Sequence, residues 1–286
     1  MAEINAATVV KLRKMSGQGM MDCKKALEET GGDLEKAMEA LRKKGLATLA
    51  KRADRETTEG RLICKRSGDG KTVAMASLCS ETDFVSRSDE FIAAAEKLGD
   101  YALACTADSG VENLSATIVG GRAFSDINTE VVSKTGEKIG VGDFVRYSLS
   151  GPGVIGSYVH FNYKVGAMVQ IETSGDAVSA AIQVLATDIA MHVTALKPIA
   201  VDKEGVDPAF LLKEREIAAE LVKGKPANMI DKIVDGKIAK FLKENCLVDQ
   251  PFVKDDTKSV AQMLADTATA AGGTAKIRRF ARIEIG

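Results

Sequence analysis

The chain has 286 residues with Lys plus Arg at 39 and Asp plus Glu at 40, a formal net charge of −1. That length predicts two or three compact units, and so even a balance excludes a global electrostatic pull toward nucleic acid or an anionic membrane. Hydrophobic residues at 45%, aromatics at 5% and no Trp predict real but mostly aliphatic cores.

The first stretch predicts three short helices. Val9, Val10 and Leu12 begin an apolar stripe that stops at Gly17, and Met20, Cys23, Ala26 and Leu27 form a second that breaks at Gly31-Gly32. Asp33 is placed to cap a third helix, whose stripe Leu34, Ala37, Met38 and Leu41 ends at Gly45. So small a bundle suits a recognition head. Arg42, Lys43, Lys44, Lys51, Arg52 and Arg55 follow with only Asp54 against them. Without interleaved aromatics they read as a solvated linker and not as a nucleic-acid surface.

The pattern then becomes strand-like. Arg61 to Lys65 and Lys71 to Cys79 are strand candidates, joined through the hairpin signal Gly68-Asp69-Gly70. Shifting the chain by 93 residues places Gly60 on Gly153, Lys71 on Lys164, Ala74 on Ala167, Met75 on Met168 and Asp83 on Asp176. Both copies run into an Ala-rich helix, Phe91 to Ala104 and Val178 to Val193, which predicts an internal duplication. Two related α+β units follow, each an antiparallel sheet backed by helices. Pro208, Leu211, Leu212, Ala218, Leu221 and Val222 predict a further helix, and Gly224-Lys225-Pro226 a break. Met229, Ile230, Ile233, Val234, Ile238, Phe241 and Leu242 predict its antiparallel partner. The hairpin's spare apolar surface needs a cover, such as a second copy. Strand-like Gln250-Pro251-Phe252-Val253, a helix around Val260 to Ala265 and a strand from Ile277 to Ile285 finish the chain.

Catalytic and ligand motifs are weak. Gly151-Pro152-Gly153-Val154-Ile155-Gly156 fits G-x-G-x-x-G, but Ser157-Tyr158-Val159-His160-Phe161 after it is strand-like where a dinucleotide site needs a helix. No apolar run approaches the roughly 18 residues of a spanning helix. Met1-Ala2-Glu3-Ile4 lacks the features of a signal peptide. Five Cys without a Cys-x-x-Cys pair argue against disulfides or zinc and for a reducing cytosol, and Cys23 and Cys79 read as small core hydrophobes. The two His, His160 and His192, have no nucleophile or metal-ligand set beside them. His192 is expected to be packed, while His160, on a hairpin, is open to either a structural or a contact role. No enzyme activity, cofactor or metal is expected.

The sharpest local feature is Ser80-Glu81-Thr82-Asp83-Phe84-Val85, between a strand and a helix. Asp83, matched by Asp176, suits a helix N-cap. Phe84 is matched by Ala177, so the fold does not demand an aromatic there. It is either a ring that staples its own helix or a projecting ring that wedges into a partner.

Leu12-Arg13-Lys14-Met15-Ser16-Gly17-Gln18-Gly19-Met20-Met21-Asp22-Cys23-Lys24-Lys25-Ala26-Leu27 resembles the N-terminal signature of the bacterial elongation factor Ts family, and Thr82-Asp83-Phe84-Val85 its second signature. Ile155-Gly156-Ser157-Tyr158 with His160, Ala190-Met191-His192-Val193 before Lys197-Pro198, and Gln250-Pro251-Phe252-Val253 extend the resemblance along the chain. Where the family carries a glycine and an arginine after its His, this chain has Phe161-Asn162-Tyr163-Lys164.

The resemblance implies an α+β fold with a three-helix, UBA-like head and linker (residues 1–54). Two duplicated core subdomains (55–152 and 153–286) would follow, the second with an inserted dimerisation hairpin (201–244). It implies a cytoplasmic guanine-nucleotide exchange factor for elongation factor Tu, GDP-bound or nucleotide-free, acting as a homodimer or a heterotetramer with Tu, without nucleic acid or membrane. Partner contacts would fall to Thr82, Asp83, Phe84 and Val85 near the GTPase magnesium and nucleotide, with Arg13, Met20 and Met21 in support and His160 against another part of Tu. The competing expectation is an interaction scaffold that binds through the head around Met20 and Met21 and leaves nucleotide untouched.

Overall fold

The computed structural model describes residues 4–222 and 227–286. The chain is α+β and divides into two compact units. One holds the residues up to Tyr147 together with Phe161–Val165 and Ile283–Gly286, the other Ser148–His160 and Gly166–Arg282.

The first unit begins with α1 (Ala6–Ser16), α2 (Met20–Glu29) and α3 (Leu34–Lys51). Leu12, Cys23, Leu27, Ala37 and Leu41 interlock as their core. Gly17 takes the left-handed conformation that closes α1, and Asp33 caps α3 by accepting the Glu35 and Lys36 N–H groups. Two expectations change. Val10 and Met20 leave their stripes for solvent, and Gly45 does not end α3, which continues to Lys51.

The strands β1 (Glu59–Arg66) and β2 (Thr72–Ser80) pair antiparallel from Glu59↔Ser80 to Arg66↔Val73. They are followed by α4 (Asp83–Ser86), α5 (Asp89–Ala104), α6 (Val111–Ala116), β3 (Ile118–Val119), β4 (Arg122–Ala123), α7 (Phe124–Thr135) and β5 (Ile139–Ser148). The sheet order β1-β2-β5 puts β2 in the centre, which is why it reads as one continuous buried run. Ile63, Leu78, Phe91, Leu98, Leu114, Phe124 and Val132 join sheet and helices in one core. Gly45 is where α3 meets α7. A Cβ there would lie 2.9 Å from Thr129 Cγ2 and against the Thr129 carbonyl, so the glycine permits close approach.

The basic segment from Arg42 to Arg55 stays largely exposed to solvent, as expected, but is more than a linker. Much of it is the end of α3, and its charges find acids that sequence distance conceals. Arg42 pairs with Asp126, Lys44 with Asp22 at 2.7 Å, and Arg52 with Glu81. Lys138 Nζ donates to the Ala53 and Arg55 carbonyls at 2.6 and 2.8 Å.

The second unit contains β6 (Gly153–Val159), β7 (Val165–Thr173), α8 (Asp176–Leu196), α9 (Pro208–Glu220), α10 (Ala227–Asn245), β8 (Pro251–Phe252), β9 (Asp255–Ser259), α11 (Val260–Ala270) and β10 (Ala275–Glu284). Its main sheet has the order β10-β7-β6, again with the second strand of the hairpin in the centre. Moving the limits of β2 by 93 residues gives Val165 and Thr173, the limits of β7. Gly156, last of the glycine-rich motif, sits within β6, where a Cβ would collide with the Ala186 backbone of α8. Strand-to-helix packing explains that glycine.

Contrary to the expectation from apolar runs, α8 is long and apolar enough by composition to cross a membrane. Its Ile182, Ala186, Ile189 and Val193 lie in the core of the unit. In the α9–α10 pair, Asp207 caps α9 ahead of Pro208, and Ala218, Val222, Val234 and Ile238 form the shared seam. Met1-Ala2-Glu3, the break at Gly224-Lys225-Pro226 and the Met229 side chain lie outside the described residues.

Candidate functional site

The segment after β2 is short and densely hydrogen-bonded. Ser80 Oγ donates to the Thr82 carbonyl at 3.0 Å as the strand ends. The Glu81 carboxylate turns inward, where Arg52 Nη1 donates to both its oxygens at 2.8 and 2.7 Å and the Lys138 N–H reaches it at 2.7 Å. Burial alone would push the Glu81 carboxyl up. The Lys138 N–H and the Arg52 guanidinium outweigh it and hold the group below the ordinary carboxylate range.

Glu137 fixes the next residue, accepting the Thr82 N–H at 3.1 Å and its hydroxyl at 2.7 Å. Thr82 Oγ1 also accepts from the Val85 N–H at 3.4 Å and so caps α4. Asp83 is therefore not the N-cap expected from the sequence. It is the first helical residue, and its carboxylate meets Arg87 at 3.2 Å. Asp176 likewise opens α8 from its first position, where a carboxylate is favoured by the helix dipole.

One helical turn then decides which side chains face in. Val85 packs against the core and Ser86 is buried. Phe84 is 85% exposed, which excludes the reading in which its ring staples its own helix. Ser88 closes the turn by capping α5 at the Phe91 N–H, and Phe91 itself is fully buried. The result is an apolar ring in water on a backbone fixed from both sides. A ring held this way enters an apolar crevice without first losing loop freedom.

The other residues singled out in the sequence fall elsewhere. Arg13 is exposed on α1, while Met20 and Met21 are 44% and 76% exposed at the start of α2, in the same unit as Phe84. His160 belongs to the second unit, half-buried and edge-on to Tyr158 with ring centroids 6.5 Å apart. His192 is fully buried, between Gln250 Oε1 at 2.9 Å and the Val253 N–H at 3.2 Å. Among the described residues no cluster of three His, Cys, Asp or Glu side chains could hold a metal. Sequence reasoning missed Arg52, Glu81, Glu137 and Lys138 as supports of the turn. Their pairing spans distant parts of the chain and leaves no local signal.

Comparison with known proteins adds to this geometry. Residues 81–286 match the family described as Elongation factor TS. The elongation factor Ts of a Nitratiruptor species is 43% identical over 285 residues, covering 99% of this chain and 93% of that protein. That of Nitratidesulfovibrio vulgaris is 41% identical over 287 residues, covering 99% and 96%. The elongation factor Ts of Desulfovibrio desulfuricans is 42% identical over 292 residues, covering 100% and 99%.

Proposed function

The chain belongs to the elongation factor Ts family, and we propose that it is a guanine-nucleotide exchange factor that drives GDP from elongation factor Tu during translation elongation. One observation carries this reading: Phe84 is 85% exposed on a turn whose two preceding residues, Glu81 and Thr82, are fastened by Arg52 and Glu137. The ring enters the GTPase beside its magnesium and nucleotide and occupies space that a tightly held GDP requires. Thr82 and Val85 hold the ring's direction from behind. Asp83 brings a carboxylate toward the phosphate and magnesium region. Arg13, Met20 and Met21 on the head support the same partner, and His160 meets another part of it.

The process breaks no covalent bond. The factor stabilises the nucleotide-free GTPase, and by thermodynamic reciprocity GDP weakens the factor's own binding by the same ratio. Burying one Phe contributes about 1.5–3 kcal/mol, equivalent to roughly ten- to a hundredfold in an equilibrium constant.

Three finer points accompany this reading. The two sheets are copies of one duplicated α+β plan, supported by the matching limits of β2 and β7. The head is a UBA-like module on residues 1–54, followed by subdomains 55–152 and 153–286. The inserted hairpin within 201–244 joins two copies, supported by Leu212, Ile217 and Leu221, which are all more than half exposed. The cytoplasm, where Tu works, is the site of action.

The test mixes purified protein with Tu loaded with a fluorescent GDP and an excess of unlabelled GDP. Substoichiometric factor is expected to accelerate release with turnover. A bound complex with unaltered release would instead support the scaffold reading through Met20 and Met21.

A further inference from the structure

A second phenyl ring stands in solvent on the same unit. Phe161 is 83% exposed, close to the 85% of Phe84. It sits in the turn between β6 and β7, and that turn, Phe161–Val165, belongs to the first unit.

The turn is as firmly held as the one that carries Phe84. The Leu62 N–H of β1 donates to the Tyr163 carbonyl at 2.7 Å, and the Arg61 guanidinium lies 3.5 Å over the Tyr163 ring. Lys164 reaches Glu59 at 2.7 Å, its N–H donates to Asn162 Oδ1 at 3.0 Å, and its carbonyl accepts the Ile285 N–H at 2.8 Å. Tyr163 takes a φ of +58°, a conformation that a bulky L-residue adopts only when its surroundings impose it. The exposure of Phe161 is thus a product of a braced backbone.

The position matters as much as the rigidity. Glu59, which anchors Lys164, pairs with Ser80 at the end of β2 from which the Phe84 turn departs. Leu62, which anchors Tyr163, lies about 10 Å along the same strand at about 3.3 Å per residue. The Phe161 turn therefore lies against β1, near the end of the sheet from which the Phe84 turn departs.

We propose that Phe161 is a second aromatic anchor for the GTPase that receives Phe84, seated in an apolar depression apart from the one the first ring enters. This rests on the exchange-factor reading. The two rings divide the work. Phe84 acts on the nucleotide pocket, whereas Phe161 lends affinity equally to the GDP-bound and nucleotide-free partner, as uniform binding does. Aromatic anchors on rigid supports are the usual carriers of interface affinity.

The experiment titrates full-length wild type, Phe161→Ala, Phe161→Leu and Phe84→Ala against Tu loaded with fluorescent GDP. It is paired with calorimetric binding to nucleotide-free Tu and sedimentation of each factor alone. Phe161→Ala is expected to raise the half-saturating concentration and the Kd together by roughly tenfold, with the saturating release rate within about twofold of wild type. Phe161→Leu should recover most of the affinity, and the unfolding midpoint should not move. A Phe161→Ala titration that superposes on wild type overturns the proposal, as does a variant that only dissociates factor dimers. If wild type itself fails to accelerate release, it is the exchange-factor reading that falls, and calorimetry still decides whether Phe161 binds Tu.

Discussion

Phe84 in α4 and Phe91 in α5 are seven residues apart and meet opposite environments, one ring 85% exposed and the other fully buried. The motif Thr82-Asp83-Phe84-Val85 drew attention to the position, and Ala177 at the matching place hinted that no local packing demanded the ring. Its direction was not legible, because it depends on Glu81 and Glu137, whose partners lie far along the chain. Glu81→Gln removes the charge that Arg52 and the Lys138 N–H meet. We expect about 1–2 kcal/mol lower stability, faster hydrogen exchange at the amides of residues 82–86 and a several-fold lower saturating release rate. Unchanged amide exchange would contradict the bracing role.

His192 gives a pH dependence with a definite sign. Its Nδ1 accepts the Val253 N–H, so Nε2 carries the proton and donates to Gln250. Burial pushes its pKa below the ordinary 6.5, against the raising effect of the Gln250 bond. The unfolded chain therefore takes up the proton first. This contribution is fully present above about pH 6.5 and is lost as pH falls toward the lower folded value. Urea midpoints between pH 7.5 and 5 should decline in wild type, and the decline should be shallower in His192→Gln. Equal slopes would contradict it.

At the scale of elements, the head helices, both hairpins and the two Ala-rich helices were legible because their apolar spacing is regular. α7 and β5 were not. Phe124-Ser125-Asp126-Ile127-Asn128-Thr129 is poor in strong helix formers, and α7 persists through its packing against α3 and the sheet core. β5 is interrupted by Gly140 and Gly142, and its alternation is weak. The α3–α7 contact predicts that Gly45→Ala forces the helices apart at Thr129 and lowers stability by about 1–3 kcal/mol, readable in a thermal melt. A variant as stable as wild type would show that the packing there is loose. For the α9–α10 hairpin, Leu221→Glu should shift a concentration-dependent dimer to monomer in sedimentation. A monomer mass for wild type at every concentration removes the dimer.

For the whole molecule, the balanced charge and the absence of a convincing catalytic motif point to binding, and the chain belongs to the elongation factor Ts family. What the sequence concealed was which surfaces are prepared for a partner, since exposure and rigidity arise only when distant segments meet. Exchange through a wedge requires the factor and GDP to oppose each other equally, so GDP should weaken factor binding by the ratio in which the factor weakens GDP. The most direct measurement is stopped-flow release of fluorescent GDP from Tu at saturating factor, comparing wild type with Phe84→Ala. The wedge predicts a release rate lower by roughly ten- to a hundredfold in the variant, with its fold intact. Equal rates for the two proteins would contradict it.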